Sequence, residues 1–184
     1  MLELPNQAGA VLTALARQAI GQKLGLPSKR PVQAAWLSQP GASFVTLNLD
    51  GQLRGCIGSL SAYRALGKDV AANAVAAGFE DPRFGPVTLD EFQVIKLEVS
   101  VLSSAKPLAF TSGSDAIGQL KPGQDGIILS GPGGRRATFL PQVWQQLPEP
   151  ETFITHLKMK AGLPVDLWDG IELERYSVLA FTEP

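Results

Sequence analysis

The chain holds a single cysteine, Cys56, and a single histidine, His156, among its 184 residues. One cysteine cannot close an internal disulfide, so a buried core must hold the fold; the composition fits a reducing compartment, with the cytoplasm as the expected location. One thiol, one imidazole and dispersed carboxylates give no recognisable spacing of metal ligands, and no metal site is expected. No stretch approaches the roughly 20 apolar residues needed to span a bilayer, and the start Met1-Leu2-Glu3-Leu4-Pro5 lacks the basic and apolar regions of a secretion signal. A membrane is therefore not an expected partner. A surplus of charge is missing too: 16 Lys and Arg stand against 17 Asp and Glu, for a net charge of −1. Holding a nucleic-acid backbone requires clustered cations. The adjacent basic pairs are Lys29-Arg30 and Arg135-Arg136, so nucleic acid is disfavoured as a partner.

With 45% hydrophobic and 18% charged residues, the chain reads as globular. It is long enough to bury a real core as one compact unit or as two intimately packed lobes. Val11, Leu12, Leu15, Ala19 and Ile20 recur at helical spacing after Asn6, which predicts a helix over 6–20 ended by Gly21. Gly25, Pro27 and Pro31 mark a loop, followed by an extended or short helical segment over 32–37. Residues 44–49 and 52–57 flank Asp50-Gly51, the form of a tight β-hairpin. Two-residue closure pairs Val45 with Cys56 and Leu47 with Arg54; a longer loop changes that register and the faces.

Leu66, Val70, Ala74 and Ala77 predict a helix over 63–77 with Gly78 after it. Ile95, Leu97, Val99 and Val101 alternate with Lys96, Glu98 and Ser100, giving a half-buried strand with one polar face. Further along, the pattern predicts a short helix over 114–120, paired strands over 125–129 and 137–140, and helical segments over 141–147 and 151–161. A run rich in strand formers ends it over 173–181. Strands separated by both short turns and helices indicate an α+β fold.

The chemistry concentrates in Leu53-Arg54-Gly55-Cys56-Ile57-Gly58. On a strand, Arg54 and Cys56 share a face, where a guanidinium can stabilise a thiolate. Gly55 and Gly58 remove side chains beside the sulfur, as happens where a ligand or another backbone comes close. The other reading is a small, inert, buried thiol. Arg83 stands in the proline-stiffened loop Glu80-Asp81-Pro82-Arg83-Phe84-Gly85-Pro86, where Asp81 can orient it toward a carboxylate or phosphate. The alternative is a solvated surface pair. His156 lies on the flank of the 151–161 helix while Phe153, Ile154 and Leu157 face inward; folded near Cys56 it would take the thiol proton, and otherwise it is a surface histidine. Glu98, on the polar strand face with Ser100, is a further acid or base candidate. Gly131-Pro132-Gly133-Gly134 lacks the Gly-Lys-Ser/Thr ending of a phosphate loop and reads as a hairpin connection.

The six-residue stretch Leu53–Gly58 resembles the signature of the AMMECR domain family, called AmmeMemoRadiSam system protein A in prokaryotes. The likeness extends to Phe44-Val45-Thr46-Leu47, Asp81-Pro82-Arg83-Phe84, Phe139-Leu140-Pro141-Gln142-Val143, His156-Leu157 and Lys160-Ala161-Gly162-Leu163. The resemblance implies one AMMECR-type domain over residues 1–184, with an antiparallel sheet flanked by helices and a smaller packed lobe. It also implies association with Memo-like and radical SAM proteins, and it leaves the reaction and any cofactor open. Two functional expectations follow. In the first, the chain is an enzyme or enzyme component whose Cys56 and His156 act on a small anionic ligand held by Arg54, Gly55, Gly58 and Arg83. In the second, it is a non-catalytic adaptor for the Memo-like and radical SAM proteins, and Cys56 merely packs.

Overall fold

The computed structural model describes residues 4–27 and 33–184. In chain order the elements are α1 (Ala8–Lys23), a 3₁₀ turn (Ala35–Ser38), β1 (Ala42–Leu49), β2 (Gln52–Gly58), α2 (Leu66–Phe79), α3 (Leu89–Val94) and β3 (Lys96–Leu102). They continue with β4 (Lys106–Pro107), α4 (Gly113–Gly118), β5 (Gly126–Gly131), β6 (Arg135–Phe139), α5 (Pro150–Lys160), β7 (Glu172–Tyr176) and β8 (Val178–Thr182). Pro31, Val32 and the Lys29-Arg30 pair lie outside the described residues. The fold is α+β, and the chain divides into two compact units, residues 1–102 with 179–184 and residues 103–178.

In the first unit the sheet order is β2-β1-β3-β8, with β1 antiparallel to both β2 and β3. Helices α1 and α2 pack on each other and against these strands. Ala8, Leu12, Ala16 and Ile20 repeat every four residues and are fully buried, so α1 presents one narrow apolar stripe. Leu66, Val70, Ala74 and Ala77, spaced four, four and three residues apart, form the matching buried stripe of α2. Together they cover Val45 and Leu47 of β1 and Leu97 and Val99 of β3, all fully buried. Removing one such leucine side chain costs about 2–5 kcal/mol, through lost transfer energy and the cavity left behind.

The second unit is built on the order β4-β7-β5-β6. Ile127 and Leu129 of β5 pack with Phe153 and Leu157 of α5, and Trp144 stacks on Phe153 with ring centroids 3.7 Å apart. The unit's two ends are stapled together. Ser103 N–H donates to Ser177 O, and Ser177 N–H donates back to Ser103 Oγ, each at 2.9 Å.

Several boundaries differ from the sequence expectation for physical reasons. Helix α1 runs through Gly21 to Lys23, and Gly21 sits where an added Cβ would be 3.3 Å from the Phe92 ring. Its N-cap is Gln7 and not Asn6. Gly78 is likewise a buried residue inside α2, which ends at Phe79. The single run expected over 173–181 breaks at Ser177 into β7 and β8, which serve different sheets. Helix α3, which periodicity did not indicate, is short and held by a capping box: Thr88 Oγ1 accepts from Glu91 N–H, and Glu91 accepts from Thr88 N–H.

Candidate functional site

The hairpin carrying Cys56 turns at Asp50 (φ 50°) and Gly51 (φ 76°), the positive φ angles a two-residue loop requires. Leu49 pairs with Gln52 and Asn48 with Leu53, as two-residue closure demands. The register then shifts between Leu47 and Asn48, leaving Arg54 without a partner, and resumes with Leu47 opposite Gly55 and Thr46 opposite Cys56. This β-bulge breaks the simple alternation that placed Arg54 beside Cys56, because the extra residue bends the strand and re-aims its side chain.

The two motif glycines have packing reasons. A Cβ on Gly55 would lie 2.1 Å from the Ala77 carbonyl oxygen of α2, and one on Gly58 would lie 2.2 Å from the Phe44 ring. The room the sequence offered a ligand at these positions is taken by protein atoms. Gly55 lets α2 close on β2, and Gly58 lets Phe44, its partner on β1, lie across the strand.

Strand β2 is an edge strand, and the 80–88 loop covers the exposed backbone of Cys56. Asp81 Oδ2 accepts the Cys56 N–H at 2.9 Å, and Arg83 Nη2 donates to the Cys56 carbonyl at 3.4 Å. Arg83 in turn grips Asp81 with Nε at 2.9 Å and Nη2 at 2.7 Å. The pair substitutes for a neighbouring strand, satisfying an edge that would otherwise invite another chain. Asp81 is only 2% exposed in its side chain whereas Arg83 is 53% exposed, so this is not a solvated pair. The guanidinium and the two backbone N–H donors hold the Asp81 carboxyl well below the usual carboxylate range, and Asp81 raises Arg83 reciprocally.

Arg54 turns the other way, to α3 and the 84–86 loop. It makes a bidentate pair with Glu91 at 2.8 and 3.0 Å, donates to the Gly85 and Pro86 carbonyls, and lies over the Phe84 ring. Its side chain is 12% exposed, and Nη1 is buried without a protein acceptor. The Arg54 fork and the Thr88 N–H hold the Glu91 carboxyl at about 2. Arg83 also lies over the Phe84 ring, so two guanidiniums contact one ring, each paired with its own carboxylate.

Because the Cys56 N–H and C=O point outward, Cys56 and Thr46 form the closer, non-hydrogen-bonded kind of antiparallel pair. Thr46 Oγ1 donates to Cys56 Sγ at 3.3 Å. On the far side of β1, Thr46 pairs with Glu98 of β3, so Cys56, Thr46 and Glu98 form a row across three strands. Burial pushes the Cys56 thiol up; the Thr46 hydroxyl and Arg83 oppose that shift, while Asp81 and Glu98 reinforce it. Arg83, not Arg54, is thus the cation that acts on the sulfur.

His156 is exposed on α5 in the second unit, with Phe153, Ile154 and Leu157 facing the core of that unit. Cys56, Arg54 and Arg83 belong to the first unit. Sequence reasoning missed three contributors. Glu91 carried a legible signal, the Thr-x-x-Glu capping spacing from Thr88. Thr46 required the bulged register. The third is a buried network on the opposite face of β1: Asp69, fully buried, accepts from the Ser43 N–H and hydroxyl, Ser59 Oγ, Asn73 Nδ2 and Arg64 Nε. It anchors the segment that follows Gly58. Among the described residues no group of three or more His, Cys, Asp and Glu side chains is placed to hold a metal ion, and no helix is long and apolar enough to cross a membrane.

The AMMECR1 family model matches residues 13–181. Protein LS215_2104 of Saccharolobus islandicus is 33% identical over 194 residues, covering 98% of this chain and 84% of its own. Protein MJ0810 of Methanocaldococcus jannaschii is 36% identical over 145 residues, covering 76% of this chain and 72% of its own. The crystal structure of uncharacterized protein PH0010 from Pyrococcus horikoshii superposes with a TM-score of 0.87 at 29% identity, covering 98% of this chain and 93% of that one.

Proposed function

We propose that this chain, which belongs to the AMMECR1 family, is an accessory component that binds through the sheet face around Cys56, with the thiol serving as a contact and not as a nucleophile. One observation carries the reading: the only cysteine is pushed toward its neutral form by burial, while both arginines expected to activate it or to hold an anion are already paired with Asp81 and Glu91. A thiol poised for attack needs the opposite environment, electropositive and able to favour the thiolate. The Memo-like and radical SAM proteins implied by the family resemblance are the partners to which this reading applies.

The competing reading, an enzyme or enzyme component acting on a small anionic ligand, has one observation in its favour, the half-exposed Arg83 side chain. It requires Arg83 to release Asp81 or to share its remaining Nη1 group. Alkylation by the neutral reagent iodoacetamide across pH separates the two. The accessory reading expects Cys56 to react more slowly at neutral pH than free cysteine, with an apparent pKa above it, and expects Cys56→Ser to retain binding to a purified Memo-like or radical SAM protein. Faster alkylation than free cysteine at pH 7, or loss of partner-dependent activity in Cys56→Ser with binding intact, would reject it.

A further inference from the structure

The charges around the Cys56 row do not sum to the positive site that the arginines suggested. Arg54 is matched by Glu91, and Arg83 by the buried Asp81. Lys96 neighbours Glu98 along the same strand face, opposite Asn48 as Glu98 is opposite Thr46, and its Nζ is held by the Pro184 carbonyl at 2.8 Å. The Glu98 side chain forms no hydrogen bond or ion pair among the described residues, and only its backbone is bonded, in the β1–β3 ladder. Its carboxylate is half-buried, in register with Thr46 and Cys56, and acts on the sulfur as an unfavourable charge.

We infer that Glu98 is the recognition group of this face, and that the ligand it takes presents a cationic nitrogen, an alkylammonium or a guanidinium, instead of an anion. The inference rests on the binding reading above and names the chemistry of what is bound. A half-buried carboxylate without a partner is an electrostatically incomplete group, and a charge-assisted hydrogen bond from N–H⁺ completes it. Thr46 and the neutral Cys56 thiol then lie beside the cation as dipoles, and neither requires a second charge. A phosphate or carboxylate would meet like charge from Glu98 and would have to compete with Asp81 for Arg83.

The sulfur is a built-in probe of this potential. Methanethiosulfonates carrying a trimethylammonium or a sulfonate group convert Cys56 to a mixed disulfide: the thiolate attacks the sulfenyl sulfur, methanesulfinate leaves, and the thiol proton goes to solvent. Strands β2 and β3 lie about 10 Å apart across β1, within roughly one Debye length at 0.1 M salt. The cationic-to-anionic rate ratio, normalised to free cysteine, is therefore expected to be about five at low salt, and to fall to about one in Glu98→Gln. A normalised ratio at or below one in the wild-type protein, which needs no variant to fold, overturns the inference. So does a raised ratio that Glu98→Gln leaves unchanged in a folded variant.

A second arm reads ligand class and source. Butylguanidinium or butylammonium at millimolar concentration is expected to slow iodoacetamide alkylation where butyrate does not, and protection by butyrate alone, or by none of the three, overturns the inference. Protection by a lysine- and arginine-bearing peptide at lower concentration identifies a partner's side chain as the source, and protection by the small amines alone identifies a free amine. Fast alkylation by neutral iodoacetamide would sink the binding reading, yet it leaves the charge ratio readable, so the two failures are distinct.

Discussion

The closest backbone approach in the candidate site gives the sharpest stability prediction. A methyl group added at Gly55 would sit 2.1 Å from the Ala77 carbonyl oxygen and 3.1 Å from its carbon. An ordinary carbon–oxygen contact needs about 1 Å more, and a close-packed interior has no slack of that size. Neither side yields easily, because Gly55 is paired with Leu47 in the sheet and Ala77 is a buried residue of α2. The strain belongs at the upper end of overpacking costs, about 3 kcal/mol. For a chain of this size that lowers the melting temperature by about 6–12 °C. Gly85→Ala is the matched control: it lies in the loop that Arg54 grips, and an added Cβ there meets nothing within 4 Å. Thermal unfolding followed by circular dichroism should separate the two variants clearly. If Gly55→Ala melts within about 2 °C of the wild type, the packing account of the motif is wrong and Gly55 must be explained by ligand access.

Asp81→Asn removes the charge that opposes the thiolate and frees Arg83, so the Cys56 thiol pKa should fall and iodoacetamide should react several-fold faster at pH 7, with about 1–2 kcal/mol of stability lost as the charge-assisted bonds to the half-exposed guanidinium weaken; an unchanged or slower reaction refutes the clamp. Glu91 is held at about 2 against its ordinary 4.5, so its contribution is present above pH 4.5 and is lost as pH falls through 2. After allowance for its partial exposure this amounts to about 1–2 kcal/mol, and acid titration of urea midpoints should be measurably flatter in Glu91→Gln. Lys158 is fully buried in the second unit, where its Nζ donates to the Val165 carbonyl and lies over the Trp168 ring, and burial lowers its pKa. Stability should therefore rise as pH climbs through that lowered value toward 10.5. Lys158→Met should abolish the rise and be neutral or stabilising by roughly 1 kcal/mol at pH 7, read by tryptophan fluorescence; marked destabilisation at pH 7 would show that the buried cation contributes net stability.

Local signals made the secondary structure legible where they were strong. Asp50-Gly51 announced the hairpin, the helical spacing of Leu66, Val70, Ala74 and Ala77 announced α2, and the alternation from Ile95 to Val101 announced β3. What failed was inference across a single irregular residue. The bulge at Arg54 changes where a guanidinium goes, and nothing in the local composition separates a bulged strand from a straight one, because the deciding term is the fit of Arg54 to Glu91 and the 84–86 loop, about 30 residues away. Asp81 and Arg83 were readable as a pair, but their grip on the Cys56 peptide was not, since it depends on β2 being an edge. Glu98 was visible as a polar-face residue. Its lack of a partner was not, because satisfaction of a charge is a property of the assembled surroundings.

The chain path, which leaves the first unit at Leu102 and returns at Leu179, also sets an order of assembly during synthesis. The whole of residues 103–178 emerges from the ribosome before Leu179–Thr182 can add the fourth strand to the first sheet. That sheet waits with β3 as an open border while a contiguous neighbour forms within a closed loop, so the part of the protein made first is the part completed last.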